Sequence, residues 1–266
     1  MTRPFVRTRR HALAEMLGLM GLLSCGALLA GQGGQTLAAR PARNSEEAGS
    51  SRGPHGNGAH VPNHSEGITA LDRNLITAAT GGDLELVNRL LAAGASAQAV
   101  DERGRSALLA AVYNRRGDVA RTLTLAGADV NRKDAEFNSP FLLAAATGQV
   151  EVVRLSLSHG ADLASTDRYD GTALIAACQH GNVEVVKLLL QKGIAVDHVN
   201  QLGWTALLEA VILGDGSARY EEIVQLLIDA GADANLADRE GVSPTRHSRE
   251  RGYKSMVKIL MRARGH

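Results

Sequence analysis

Apolar and polar positions follow a fixed rhythm from Leu71 almost to the end of the chain. Short blocks open on a hydroxyl followed by small or apolar residues: Ser106-Ala-Leu-Leu, Ser139-Pro-Phe-Leu, Thr172-Ala-Leu-Ile, Thr205-Ala-Leu-Leu and, more polar, Ser243-Pro-Thr-Arg. Their spacings are 33, 33, 33 and 38 residues, and Gly94, Gly127, Gly160, Gly193 and Gly231 recur with the same spacings. Two independent markers with one period predict stacked supersecondary units, each covering its neighbour's apolar face.

Each unit reads as two helices and a turn. Ser or Thr opens the first helix, because its hydroxyl accepts from the free N–H groups of the first turn. Small pairs such as Ala110-Ala111, Ala144-Ala145 and Ala176-Ala177 let neighbouring helices approach closely. The second helix carries apolar residues at helical spacing, as in Val183, Val186, Leu189 and Leu190. The following glycine can adopt the left-handed conformation that stops a helix. Asp101, Asp134, Asp167, Asn200 and Asp238 then begin the turn into the next unit.

These units resemble ankyrin repeats. The segments Asp238-Arg-Glu-Gly241-Val-Ser-Pro244 and Gly181-Asn-Val-Glu-Val-Val-Lys-Leu-Leu-Leu-Gln-Lys-Gly193 fit the family pattern closely. The resemblance implies an all-α ankyrin-repeat solenoid of about six helix-turn-helix units. Their spans are about 71–100, 101–133, 134–166, 167–199, 200–237 and 238–266, within a repeat domain at 68–266. The first unit lacks a convincing opening turn. The last places Arg246, Arg249 and Lys254 on faces that elsewhere are apolar, so both suit the ends of a stack. Where the family usually has His after the tetrad's Leu, this chain has Leu109, Leu142, Ile175, Leu208 and Arg246, which predicts a more apolar contact between units. Phe137 stands where a turn glycine is usual and puts that turn's geometry in question. With the long fifth unit, these departures resemble a group of exported bacterial ankyrin proteins.

The resemblance implies a non-catalytic binding module whose partner lies on the concave side, formed by turn tips and first helices. Carried onto this chain, that side includes Arg103, Arg105, Tyr113, Phe137, Arg168, Tyr169, His180, Leu202 and Trp204. Phe137, Tyr169 and Trp204 are expected to project from three successive units. Aromatic and Arg side chains dominate binding energy in protein interfaces; the plainer reading is that Trp204 and Phe137 pack on adjacent turns.

The fifth unit holds five extra residues, in or near Leu213 to Tyr220. It also carries Glu209 where other central units have Ala110, Leu143 and Ala176, positions that face the interior. A carboxylate there is costly unless paired or protonated. His247 occupies the equivalent position one unit on, and stacking is expected to bring the two near each other. The architectural reading is a carboxylate that holds the inserted loop. The sharper one is a small polar pocket of Glu209, Asp215, Arg219, Arg246 and His247, which would make the chain a small-ligand or metal-binding protein.

The start of the chain reads as a targeting segment. Arg3, Arg7, Arg9 and Arg10 precede the apolar run Met16–Ala30, and small residues follow to Ala39, the order of a secretory signal peptide over 1–39. Thr8-Arg9-Arg10 is a partial match to a twin-arginine signal. Cys25, in Leu22-Leu23-Ser24-Cys25, resembles a lipoprotein box, and an uncleaved anchor is the third reading; all three export the rest of the chain, to the periplasm or beyond. Residues 40–67 read as a disordered linker, with His55, His60 and His64 as its own polar content.

Composition narrows the function. Aromatics are only 3% of the chain, which suits closely stacked helices. Without residues 1–39 there are 25 basic and 27 acidic residues, a net charge of −2, so no phosphate-backbone partner is implied. Cys178 is then the only cysteine and excludes an intramolecular disulfide. No Cys/His set has zinc spacing and no catalytic set or cofactor is expected. The expected partner is another exported protein, which this chain would assist as a helper or scaffold, or inhibit. Membrane contact is expected only through a retained N-terminal segment or an acylated Cys25.

Overall fold

A computed structural model describes residues 68–263. The expected signal segment with Cys25, and the expected linker with its histidines, lie outside the described residues. Among those residues the chain forms twelve helices and two isolated antiparallel bridges, Val100–Ser106 and Thr166–Thr172.

The helices come in six antiparallel pairs: α1 (Ala70–Gly81) with α2 (Leu84–Ala92), α3 (Ala107–Tyr113) with α4 (Gly117–Leu125), α5 (Pro140–Ala146) with α6 (Val150–Ser158), α7 (Ala173–Gln179) with α8 (Val183–Gln191), α9 (Ala206–Leu213) with α10 (Ala218–Asp229), and α11 (Pro244–Glu250) with α12 (Lys254–Ala263). First helices pack on first helices and second on second, which is the stacking the period demanded.

The opening hydroxyls cap as the sequence indicates. Ser106, Ser139, Thr172 and Thr205 accept from the amides of Leu109, Leu142, Ile175 and Leu208 at 3.1–3.4 Å. The first unit has a start the sequence reading missed. Thr69 and Asp72 form a reciprocal capping box, and Asp72 also accepts from the Ser96 amide at 2.7 Å.

Leu109, Leu142, Ile175 and Leu208 are all buried, so the contact between central units is apolar where the family has histidine. Cys178 is buried in the same layer, and burial together with the Glu209 carboxyl pushes its thiol well above the usual range.

A second tie runs down the turns between paired helices. In the third and fourth units the residue just before the second helix reaches back to a first-helix carbonyl of the preceding unit: Gln149 Nε2 donates to Val112 O at 2.9 Å and Asn182 Nδ2 to Ala145 O at 3.0 Å. Tyr220 Oη donates to Gln179 O at 3.0 Å, and Tyr253 Oη to Gly214 O at 2.9 Å. These carbonyls lie at the C-terminal ends of first helices, where intrahelical partners run out, so the third to sixth units each brace the helix end before them.

Candidate functional site

The turn tips form one continuous edge, and a single device builds each of them. One side-chain oxygen at the turn's first residue accepts two backbone amides: Asp134 from Glu136 and Asn138, Asp167 from Tyr169 and Gly171, Asn200 from Leu202 and Trp204, Asp238 from Glu240 and Val242, all at 2.8–3.1 Å. Successive tips are then joined. Ala135 N donates to Arg103 O at 2.9 Å, and Gln201 N to Tyr169 O at 2.8 Å. Arg168 pairs with Glu136, and His198 Nε2 lies 2.7 Å from Asp170 O.

Phe137 keeps this geometry without the usual glycine. Its φ is 64°, against 75° at Gly104 and 81° at Gly203, so the turn is preserved and the side chain carries the strain. The ring is 54% exposed and does not join the core. Tyr113, at the end of α3, is 46% exposed. Arg103 is exposed and in no ion pair, whereas Arg105 is held by Asp101 at 2.7 Å.

The expected aromatic stripe is corrected at one position. Trp204 does not project: it is 9% exposed, and its amide and carbonyl are both bonded to Asn200. Its turn position is one residue past the left-handed tip that Phe137 occupies, and there the side chain turns into the array. Tyr169 is half-buried, with the Arg168 guanidinium 6.0 Å from its ring centre. His180 and Leu202 are half-buried, and burial lowers the His180 imidazole below its ordinary range.

The second candidate set divides into pairs. Glu209 is 0% exposed, as its position predicts. Its Oε1 accepts from Asn200 Nδ2 at 2.9 Å, and its Oε2 is buried without a hydrogen-bond partner among the described residues. Burial raises its pKa, the Asn200 bond opposes the rise, and the Asp167 charge adds to it, leaving it pushed up to about 8. The Glu209 carboxyl is therefore neutral at pH 7. His247 is buried against Asp238, Nε2 to Oδ2 at 2.7 Å. Burial raises the Asp238 carboxyl, but the Val242 amide and the His247 ring outweigh it and hold it below the usual range. Asp215 and Arg219 pair with each other at 3.5 Å on the exposed loop, and Arg246 pairs with Glu250 at 3.0 Å on the outside of α11. Among the described residues no group of three His, Cys, Asp or Glu side chains is placed to hold a metal ion.

The inserted loop is braced by residues the sequence reading did not single out. Tyr220 lies beneath Gly214, and a Cβ on Gly214 would meet the Ala210 carbonyl at 2.2 Å and the Tyr220 ring at 2.8 Å. Tyr253 covers Gly216, where a Cβ would lie 2.5 Å from its ring. Arg251 donates to Ile212 O at 3.0 Å. The loop is thus tied to the last unit through Tyr253 and Arg251. Gly214 and Gly216 with Tyr220 in the same unit and Tyr253 in the next are the only sequence trace of this arrangement.

A family model for ankyrin repeats matches residues 55–134 and 141–238. This chain belongs to the ankyrin repeat family. An ankyrin repeat domain from Acinetobacter baumannii AYE is 48% identical, with a TM-score of 0.69 over 71% of this chain and 96% of that one. The solved ankyrin repeat protein EF0377 is 36% identical, with a TM-score of 0.68 over 71% of this chain and 97% of that one. The putative ankyrin repeat protein YahD of Escherichia coli strain K12 is 41% identical over 56 residues. That match covers 21% of this chain and 28% of the relative, so the chain spans less than a third of the curated relative's length. Ankyrin repeats indicate a protein–protein interaction module, and the fold is typically a non-catalytic scaffold.

Proposed function

We propose that this ankyrin repeat protein is exported, acts in the periplasm without catalysis, and binds another exported protein along the edge of turn tips and first helices. The reading rests on Phe137. A non-glycine residue in the left-handed region is strained, and such strain persists where surrounding structure or function requires the residue. Here the exposed ring gains no core contact in return. With Tyr113 and Arg103 it supplies the residue types that anchor protein interfaces. Arg168, Tyr169, His180 and Leu202 extend the same edge, and Arg105 shapes its first turn.

Export is supported by the order of basic, apolar and small residues over 1–39. Within this reading the protein serves its partner as a helper or scaffold, or blocks it as an inhibitor; the two differ in whether the partner's activity rises or falls on binding.

The test is affinity capture from a periplasmic extract with the wild type, Phe137→Gly and Tyr113→Ala. Phe137→Gly restores the family's turn residue and keeps the fold. The expected result is a specific captured protein that both variants lose. An unchanged catch would place the interface elsewhere. Adding the captured protein's substrate with and without this chain then separates helper from inhibitor.

A further inference from the structure

The two ends of charge in this molecule are separated along the stack. Residues 68–243 carry 23 acidic and 15 basic side chains, a formal net charge of −8. Residues 244–263, which form the last helix pair, carry six basic and one acidic, a net charge of +5. The pairing differs as well. In the body six of the fifteen, Arg89, Arg105, Arg154, Arg168, Lys187 and Arg219, sit in ion pairs. In the last pair Arg246 alone has a carboxylate, Glu250. Arg249, Arg251, Lys254, Lys258 and Arg262 are exposed and make no ion pair among the described residues.

These five come from α11, the following turn and α12. Lys254, Lys258 and Arg262 recur every four residues, which places them about 6 Å apart along one helix face. Met261 lies 53% exposed beside Arg262, with its sulfur 3.3 Å from Arg249 Nη2. The opposite face of α12 is closed, since Met256 and Leu260 are fully buried. The cations therefore form a plate over the end of the stack rather than a pocket around one anion.

A polar last unit is needed simply to meet water, but solubility does not require one sign of charge. We propose that this basic end docks onto an anionic phospholipid bilayer, with the stack standing end-on. The charge distribution selects that occupant. An acidic polypeptide lying along the array would be repelled by the −8 body, whereas a planar surface approaching the end meets the cap alone. Helix layers repeat at about 8–10 Å and the Debye length at physiological salt is about 8 Å, so the acidic units beyond the cap are screened from the surface. Clusters of several Lys and Arg are the feature that anionic leaflets attract. The proposal is independent of the interface at Phe137 and leaves that edge free. It adds a route to the membrane apart from the N-terminal run.

The experiment is co-sedimentation of the full chain with vesicles of phosphatidylcholine alone and of phosphatidylcholine with one-third phosphatidylglycerol. The wild type is compared with Arg249→Gln/Lys254→Gln/Lys258→Gln/Arg262→Gln. Wild type is expected to prefer the anionic vesicles and to lose that preference at high salt. The variant is expected to bind them at least tenfold more weakly, with an unchanged thermal midpoint. If the substitutions also unfold the cap, Lys254→Gln/Lys258→Gln alone on the exposed face of α12 should still weaken anionic binding at least threefold. Equal binding of wild type to both vesicles, or an anionic preference that survives both variants, overturns the proposal. Capture on polyglutamate beads without preference for anionic vesicles overturns it too, by assigning the cap to an acidic protein.

Discussion

Asn200 donates its side-chain amide to Glu209 at 2.9 Å across nine residues, and Asp238 meets His247 across the same separation one unit later. Both are turn-to-helix bonds within a unit. The corresponding pairs in earlier units are Asp101 with Ala110, Asp134 with Leu143 and Asp167 with Ala176, which cannot form such a bond. The last two units have therefore acquired a polar clasp. In the fifth unit the turn residue is Asn where the others have Asp, so that it can donate to a buried carboxyl rather than repel it.

Glu209 makes the fifth unit sensitive to alkali. Its folded pKa is raised to about 8 and the unfolded value is near 4.5. Between these values the unfolded chain has released the proton that the folded chain retains, so stability falls as pH rises through that window and levels off above it. Glu209→Gln should remove this slope, and at pH 8.5 the variant should exceed wild type by more than about 1 kcal/mol. Thermal unfolding at pH 6 and pH 8.5 measures both; a wild-type midpoint that rises between those values would contradict the burial of a neutral carboxyl.

Asp238 has a double task, with one oxygen for two turn amides and the other for His247. Asp238→Ala leaves buried donors without an acceptor and should destabilise the chain by about 2–4 kcal/mol. Asp238→Asn keeps the turn acceptor and should cost less. Urea unfolding of the two variants gives the comparison, and equal losses would mean that His247 contributes most of the effect.

Phe137→Gly relieves a left-handed backbone at a side chain that buries little. The steric relief is about 1–2 kcal/mol, offset by about 0.5–1 kcal/mol of glycine's unfolded-state entropy. A net gain of roughly 0.5–1 kcal/mol in urea unfolding is expected from that difference. A loss of stability would show that the ring holds the turn.

The loop glycines should tolerate nothing larger. Gly214→Ala places a methyl group against the Ala210 carbonyl, which is backbone and cannot move aside. A loss of more than about 2 kcal/mol is expected. Tyr253→Phe removes only the donor to Gly214 O and should cost about 1 kcal/mol. Hydrogen exchange at residues 213–217 reports whether Tyr253 holds the loop; unaltered protection in Tyr253→Phe would show that it does not.

The repeat architecture was legible because period, capping hydroxyls and stop glycines are local signals that recur unchanged from unit to unit. The buried position of Glu209 was legible for the same reason, by alignment with Ala110, Leu143 and Ala176. The partners of that residue were not. His247 aligned with it in sequence, but Glu209 bonds Asn200 and His247 bonds Asp238, each first-helix side chain meeting the turn of its own unit. The brace formed by Tyr220 and Tyr253 was hidden by the insertion, which shifts the register of the second helix. Trp204 was misplaced because a one-residue offset along a tight turn reverses a side chain's direction. Sequence by itself determined the repeat architecture, the unit count and the irregularity of the fifth unit, all consequences of local periodicity, and its motifs carried the resemblance to ankyrin repeats. Tertiary structure decided which aromatics face water, how the inserted loop is tied to the last unit, and that Glu209 is neutral, because exposure and desolvation depend on what the neighbouring unit places alongside.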